Sequence, residues 1–282
     1  MLVLFPSDVL RPRRMDEHFA AEADAARAAG HRVALVDHDA LSRGATDQAL
    51  ERVPADGATA VYRGWMLDSA SYALFADGLA GRDIRLRTSA EQYRRGHELP
   101  GWYPKLAACT PASVWTAGTD RAAFDAARAE LGMGPAVLRD YTKSMKHHWH
   151  EAAYVPELAD GEAAWSIAER FRELRGEHLA GGFVLRRFEH LTSAETRTWW
   201  VDGVCRLATA HPDTPDHTPV LAVETVPGLA DAIAGLGLPF VTADLVQRVD
   251  GTWRVVELGD GQVSDRPATT TAESLMAIML DS

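Results

Sequence analysis

Apolar and polar positions along the chain fall into two regimes. Over residues 1–100, short apolar runs alternate with longer segments of helical spacing. "MLVLF" reads as a strand, 16–30 (DEHFAAEADAARAAG) as an Ala-rich helix closed by Gly30, and "RVALVD" as a second strand. "TAVYRGW" follows as a strand, then a helix over 69–81 and the run "DIRLRTS". Strands alternating with helices predict a parallel sheet with right-handed crossovers. Ligands of such sheets sit at the C-terminal ends of the strands. The polar residues expected there are Ser7, Asp8, Arg11, Asp37, Arg63 and Trp65. No GxGxxG follows the first strand, so a dinucleotide fingerprint is absent.

Past residue 100 the pattern changes. "HELPGWYPKLAACTP" (97–111), rich in Pro and aromatics, reads as a domain junction. A helix over 120–131 leads to the strand "PAVLRDY" and the loop "TKSMKHHWHEA"; a helix over 161–178 leads to "GGFVLRRFEHL". Two Asp-Gly hairpins follow, "ETRTWWVDGVCRLATA" with its turn at 202–203 and "TADLVQRVDGTWRVVELGDGQVSD" (242–265), and a helix from about 271 ends the chain. Strands joined by hairpins predict an antiparallel α+β domain. The expected division is therefore an α/β Rossmann-like domain over 1–100 and an α+β domain with antiparallel sheets over 101–282.

The last hairpin carries the main candidate chemistry. If Asp250 and Gly251 form a two-residue turn, both with positive φ, Val249 pairs with Thr252, Gln247 with Arg254, and Asp244 with Glu257. Opposed residues share a face, with Cβ atoms about 4.5–5.5 Å apart. Like charges so placed destabilise the pair unless a cation or a raised pKa relieves it. Mg²⁺ suits the position, being commonly held by one or two carboxylates plus substrate phosphates. The alternative is a solvated pair at a strand end, or a register moved by one residue, which would send the acids to opposite faces. Beyond Glu257, the "GDGQ" stretch allows close backbone approach, and Asp260 or Gln262 could supply a further oxygen; equally, it reads as a tight turn.

Other constellations add to this. Arg139 ends a strand, and Lys143 and Lys146 follow in a loop with Ser144, His147 and His148, which suits a triphosphate or a plain solvated loop. Both signs of charge together are what a metal–nucleotide requires. Lys105 lies in the aromatic junction, either as a phosphate ligand or as a snorkelling surface residue. "FVLRRFEHL" could be an edge strand whose backbone reads a flat base. Glu195 and Arg197 share a strand face, as an ion pair or as an arginine held for phosphate or carboxylate. The histidine tract "KHHWH" has no partner at a regular zinc-site offset, and no GxSxG or Cys–His signature appears.

Composition narrows the classes. The chain has 282 residues and a formal net charge of −11, which disfavours sequence-independent nucleic-acid binding. The two cysteines, Cys109 and Cys205, have no CxxC spacing, so a reducing cytoplasm is the default. The N-terminal apolar run precedes its charges, the wrong order for a signal peptide, and no run approaches the ~20 apolar residues of a membrane span.

The order of these parts resembles the ATP-grasp superfamily. More closely it resembles a poorly characterised bacterial and phage clade in which "YRGWM", "HELPGWYP", "TKSMKHHWHEA" and "VVELGDGQVS" recur. The resemblance covers nearly the whole chain. It implies an ATP site between two α+β lobes and ADP-forming ligation: a carboxylate attacks the γ-phosphate, and a nucleophile, usually an amine, displaces phosphate from the acyl phosphate. By position, Lys105 and Arg139 would contact ATP phosphates, where the family more often has Lys at the second place. Lys143 and Lys146 would lie in the covering loop, and Arg186, Arg187 and Phe188 would form the adenine hinge. Asp244 and Glu257 would hold Mg²⁺, with Asp260 as a third candidate; the x-Asn that many members place after the Glu is Gly259 here. Arg197 and Lys146 would act on the transferred phosphoryl group.

The leading expectation is thus an ATP-dependent carboxylate–amine ligase with ATP and Mg²⁺, acting on a small metabolite, amino acid or peptide. Arg63 and Trp65 are the first choices for substrate contacts and Arg11 the next; their structural alternatives are an ion-paired strand end and a core plug. An ATP-binding assembly factor and a kinase-like phosphotransferase on the same scaffold are the competing readings. Neither acid nor amine is encoded in a recognisable motif. Nor is oligomeric state, although a homodimer is the commonest soluble oligomer.

Overall fold

The computed structural model of the chain describes residues 1–55, 57–217, 223 and 226–280. They pack as two compact units. Unit one comprises Met1–Gly96, Ala194–Leu245 and Glu257–Ser282; unit two comprises His97–Ser193 and Val246–Val256.

Unit one opens with the expected parallel sheet: β1 (Leu2–Pro6), β2 (Arg32–Val36), β3 (Thr59–Tyr62) and β4 (Arg85–Leu86), in the order β2-β1-β3-β4. β1 is a continuous apolar run because both its faces are covered. Leu2 and Leu4 pack with Tyr72, Phe75 and Leu79 of the helix Ser69–Ala80. Val3 and Phe5, on the opposite face, pack with Ala23 and Ala26 of the helix Ala20–Ala28 and with Leu275, Met276 and Met279 of the C-terminal helix Ala272–Leu280. The strand expected over "TAVYRGW" stops at Tyr62, and "DIRLRTS" keeps only two strand residues.

Unit two holds an antiparallel sheet of β5 (Ser113–Trp115), β6 (Ala136–Arg139), β7 (Tyr154–Val155) and β8 (Val184–Arg187), in the order β5-β8-β6-β7. β8 therefore lies inside the sheet and is not the edge that its two arginines suggested. The helices Arg121–Leu131 and Gly161–Arg175 bury Phe124, Ala127, Ala164, Ala168 and Phe171 with Leu138, Val155 and Leu185 of this sheet. Asp120 and Asp160 cap the two helices by accepting the Ala123 and Ala163 amides, a device typically contributing about 1 kcal/mol. The junction 97–111 is largely helical, Leu99–Leu106, and "KHHWHEA" forms short helical turns rather than open loop.

The third sheet contains the two Asp-Gly hairpins: β9 (Thr196–Val201), β10 (Val204–Ala210), β11 (Phe240–Gln247) and β12 (Trp253–Asp260), in the order β10-β9-β11-β12. Trp199, Val201 and Phe240 from one face join the core of unit one. The first hairpin turns as expected: Val204 pairs with Val201, and Asp202 and Gly203 have φ of 47° and 80°. A bulge at Arg206 then moves the register by one residue.

The second hairpin departs from the expected two-residue turn. Gly251 N–H donates to Arg248 O, Arg248 N–H donates to Thr252 O, and Gly251 has φ +84° while Asp250 stays at negative φ. The loop is therefore Val249–Gly251, a turn relaxed by a left-handed glycine. Taken alone it would move the register by one. Further along, however, a Cβ on Gly259 would sit 3.4 Å from Thr242 Oγ1, and one on Gly261 would sit 2.5 Å from the Phe240 ring. Residues 242 and 259 thus share a face, so the register is recovered between the turn and the far end of the hairpin, and Glu257 lies close enough to Arg197, the partner of Asp244, for its charge to be felt there.

Candidate functional site

Asp244 lies directly across from Arg197 on the neighbouring strand β9. Arg197 Nε donates to Asp244 Oδ1 and Nη2 donates to Oδ2, both at 2.8 Å, a bidentate fork. Arg197 is 9% exposed and Asp244 2%. Burial tends to lower the pKa of the Arg197 guanidinium, but the hydrogen bond to Asp244 and the charges of Asp244, Glu257 and Glu195 outweigh it and hold the pKa above its usual value. A fixed positive charge thus sits among three carboxylates at the polar end of a sheet face whose other end is core.

His211, just past β10, completes the cluster. Its Nε2 lies 3.5 Å from Glu195 and 3.6 Å from Asp244. Glu195, His211 and Asp244 each offer a ligand atom, all within 4.8 Å of one another. The Asp213 amide donates to His211 Nδ1 at 3.1 Å, which assigns the proton of a neutral ring to Nε2, facing the acids. A metal at Nε2 would require the other tautomer, so this arrangement favours a ring that turns its Nε2–H toward the two acids. Sequence reasoning missed His211. The hairpin alone places it near position 194 or 195, and the Arg206 bulge decides between them.

Other expected site residues are placed as follows. Asp260 is three residues past Glu257 and on a different footing. It is 3% exposed, and its Oδ1 accepts the Gln262 amide at 2.8 Å. Burial raises its pKa to about 7, offset in part by the Gln262 hydrogen bonds and by Arg87. Arg63 is 1% exposed and is spent internally. It forks onto Glu22, with Nη2 3.1 Å from Oε1, and Nη1 donates to Gln262 O and Ser264 O at 3.0 and 2.9 Å. Glu22 has a lowered pKa: desolvation would raise it, but Arg63 and Arg266 override this. Trp65 is half-buried and donates from Nε1 to Asp16 Oδ2 at 2.8 Å. Arg11 is exposed and pairs with Asp8 at 3.0 Å.

In unit two, Lys105 is exposed in the last turn of its helix, Lys143 is half-buried and Lys146 is exposed. Arg139 is buried and donates to the Asp140 and Thr142 carbonyls of its own loop. Asp140, which the sequence did not single out, organises that loop. It is fully buried and accepts the Thr142 and Lys143 amides at 2.7 and 2.6 Å and Arg175 Nε at 2.8 Å. Arg186 donates to the Val255 and Val256 carbonyls and to Thr110, and Arg187 donates to the Leu131 and Met133 carbonyls past the helix end. Phe188 meets Tyr154 at 5.2 Å and His190 at 5.0 Å between ring centroids.

The same architecture recurs in solved ATP-grasp structures. A RimK domain protein ATP-grasp from Sphaerobacter thermophilus DSM 20745 aligns with TM-score 0.66 and 20% identity, covering 100% of this chain and 98% of that one. D-cycloserine synthetase DcsG aligns with TM-score 0.62 and 18% identity, covering 100% and 99%. The ATP-grasp ligase PsnB, solved with a minimal precursor, Mg and ADP, aligns with TM-score 0.58 and 16% identity, covering 99% and 97%. No curated protein matches the sequence. The fold is therefore that of the ATP-grasp class. Within it, residues 130–279, more than half the chain, match an ATP-grasp domain family, family 3 of its clade, and the chain belongs to that family. No helix among the described residues is long and apolar enough to cross a membrane.

Proposed function

We propose that the protein is an ADP-forming ligase that joins a carboxylate to an amine through an acyl phosphate, using ATP and Mg²⁺. Membership of the ATP-grasp family supports ATP-dependent ligation in general. The observation that supports the finer reading is the buried Asp244–Arg197 fork, with the charge of Glu257 acting on the same arginine. Its donors are hard oxygens, the chemistry Mg²⁺ prefers. A carboxylate offers about four lone-pair sites, so Asp244 can bind Arg197 and still present oxygen to a cation. Asp244 and Glu257 would hold the ion, and Mg²⁺ would supply charge neutralisation on phosphate oxygens.

Arg197 is suited to the transfer itself. Its charge is permanent and its geometry is fixed by Asp244, so it offsets developing phosphoryl charge without reorganising. Lys105, Lys143 and Lys146 stand as phosphate candidates; Arg139 and Arg186 are already committed to backbone carbonyls, and the Arg187 and Phe188 amides donate to Ala112 O and Pro135 O, so these amides are not free to read adenine. No protein nucleophile is needed, because phosphoryl transfer depends on positioning and charge. The similar ligase PsnB is solved with a precursor and ADP, which makes peptides as reasonable a substrate class as free amino acids.

The test is a screen for phosphate release from Mg-ATP against amino acids and short peptides. We expect one acid–amine pairing to give ADP and phosphate. Glu257→Gln should lower turnover by about 100-fold or more, beyond the 10–100-fold typical of outer-shell partners. ATP binding without turnover on any pairing would overturn the ligase reading.

A further inference from the structure

The segment that follows β12 is fastened to the parallel sheet of unit one. β4 is only two residues long, so β3 runs past its end. Arg87 N–H donates to Ala60 O, which marks the side of β3 that β4 pairs with. Tyr62 and Gly64 turn their backbone groups to that same side, because a strand repeats every second residue. Gln262 takes the place that β4 leaves. Its Oε1 accepts the Tyr62 amide at 3.2 Å, and its backbone carbonyl accepts the Gly64 amide at 3.2 Å. Its Nε2 donates to Tyr72 Oη at 3.3 Å, and the residue is 1% exposed. Two buried amides beyond the sheet ladder thus find the acceptors that burial demands.

Two arginines and one acid clamp the residues that follow. Glu22, on the helix Ala20–Ala28, is 2% exposed; it accepts the Arg63 fork and, at 3.2 Å, Arg266 Nε. Arg63 carries this hold to the Gln262 and Ser264 carbonyls, and Arg266 Nη1 donates to Thr270 O. The Ser264 hydroxyl also lies 2.7 Å from Thr242 Oγ1 on β11. Asp265 therefore sits between two held neighbours, 264 and 266. Its backbone carbonyl accepts Arg197 Nη1 at 2.9 Å. With Nε and Nη2 on Asp244, that contact places three of the five Arg197 N–H donors. One on Nη1 and one on Nη2 have no hydrogen-bond partner among the described residues.

We propose that Glu22 is a positioning residue for Arg197, acting through Arg63, Arg266 and the Asp265 carbonyl. The Asp244 fork fixes one edge of the guanidinium. A planar group held along one edge still swings about it. The Asp265 carbonyl, reached from a different segment, stops that swing. The two remaining donors then keep one direction, the pre-set geometry that meets developing charge without reorganising. Stability alone is a poor reason for the clamp, since a buried ion pair contributes little net stability. Its four Arg63 donors instead end on Glu22 or on the segment that reaches Arg197. That this direction serves phosphoryl transfer rests on the ligase reading; the hold on Arg197 does not.

The test reads Arg197 itself. NMR of the full chain with isotope-labelled arginine needs no substrate, and Arg197→Lys identifies the guanidinium signals. Wild type should show separate proton signals at both Nη1 and Nη2 of Arg197, because neither group rotates freely. In Glu22→Gln the Nη1 signals should merge, while those of Nη2, still on Asp244, stay apart. If Glu22→Gln fails to fold, Glu22→Leu/Arg63→Met gives the same readout, since replacing both members of a buried pair by apolar residues is often neutral. Merged Nη1 signals in wild type, or separate ones in the folded variant, would overturn the proposal. With an acid–amine pairing from the phosphate-release screen, the same variant should lose about tenfold or more in kcat, the range typical of outer-shell partners, at unchanged KM for ATP. A raised KM with full kcat would overturn the positioning role. If no pairing turns over, the ligase reading falls, and the NMR signals alone decide the hold on Arg197.

Discussion

At the residue scale, Arg197 and Asp244 depend on one another. The fork takes two charges out of water, and such a pair contributes little net stability while intact. Removing one partner is different, because the other is left buried and uncompensated. Arg197→Met should therefore destabilise the protein by about 3–5 kcal/mol, read as a lower urea midpoint. Arg197→Lys keeps the charge but loses the two-pronged geometry; it should fold and lose at least about tenfold in phosphate release. The same logic reassigns Arg63. With Glu22 on one side and the Gln262 and Ser264 carbonyls on the other, it clasps the segment after β12 through four of its five N–H donors. The sequence placed Arg63 at a strand end, but the partner acid lies 41 residues away on another element, where no local pattern points to it.

At the element scale, the acid-bearing hairpin is held by close approach at its far end as much as by its turn. Gly261 leaves no space for a side chain, since an added Cβ would lie 2.5 Å from the Phe240 ring. Phe240 is packed with Trp199 in the core and cannot retreat freely. Gly261→Ala should cost about 1–3 kcal/mol, measured by chemical denaturation, and should displace the Gln262–Asp265 segment that Arg63 and Arg197 hold. Element identity was largely legible: alternation of apolar runs marked the parallel strands, and Asp-Gly marked both hairpins. Their details were not. A two-residue turn and a three-residue turn share the same dipeptide, and the choice rests on whether Asp250 takes positive φ as Asp202 does.

At the scale of the whole molecule, Asp260 couples stability to pH. Its folded pKa, raised to about 7 by burial, exceeds the unfolded value of about 3.9. The folded chain thus holds this proton more tightly than the unfolded chain. The associated stability is fully present below about pH 4 and is lost as pH rises through about 7, a change on the order of 4 kcal/mol. Asp260→Asn should remove that dependence while keeping an acceptor for the Gln262 amide. The stability of wild type relative to this variant should fall between pH 4 and 7 and level off above, as followed by urea denaturation at each pH. A flat difference would show that Asp260 stays ionised in the fold.

By itself, the sequence determined the periods: which residues alternate, which recur at helical spacing, where the chain turns, and that Asp244 and Glu257 are candidates for one face. These properties depend on near neighbours and on backbone geometry, so they can be read locally. Tertiary structure decided who stands beside them. β9 inserts between β10 and β11, so Asp244 meets Arg197 across a strand pair that is not consecutive in the chain. The Arg206 bulge brings His211 to Glu195, and three separate segments bring Glu22, Arg63 and the Gln262 carbonyl together. Strand order and register arise from the closure of long loops around a shared core, and no short window of residues contains that information.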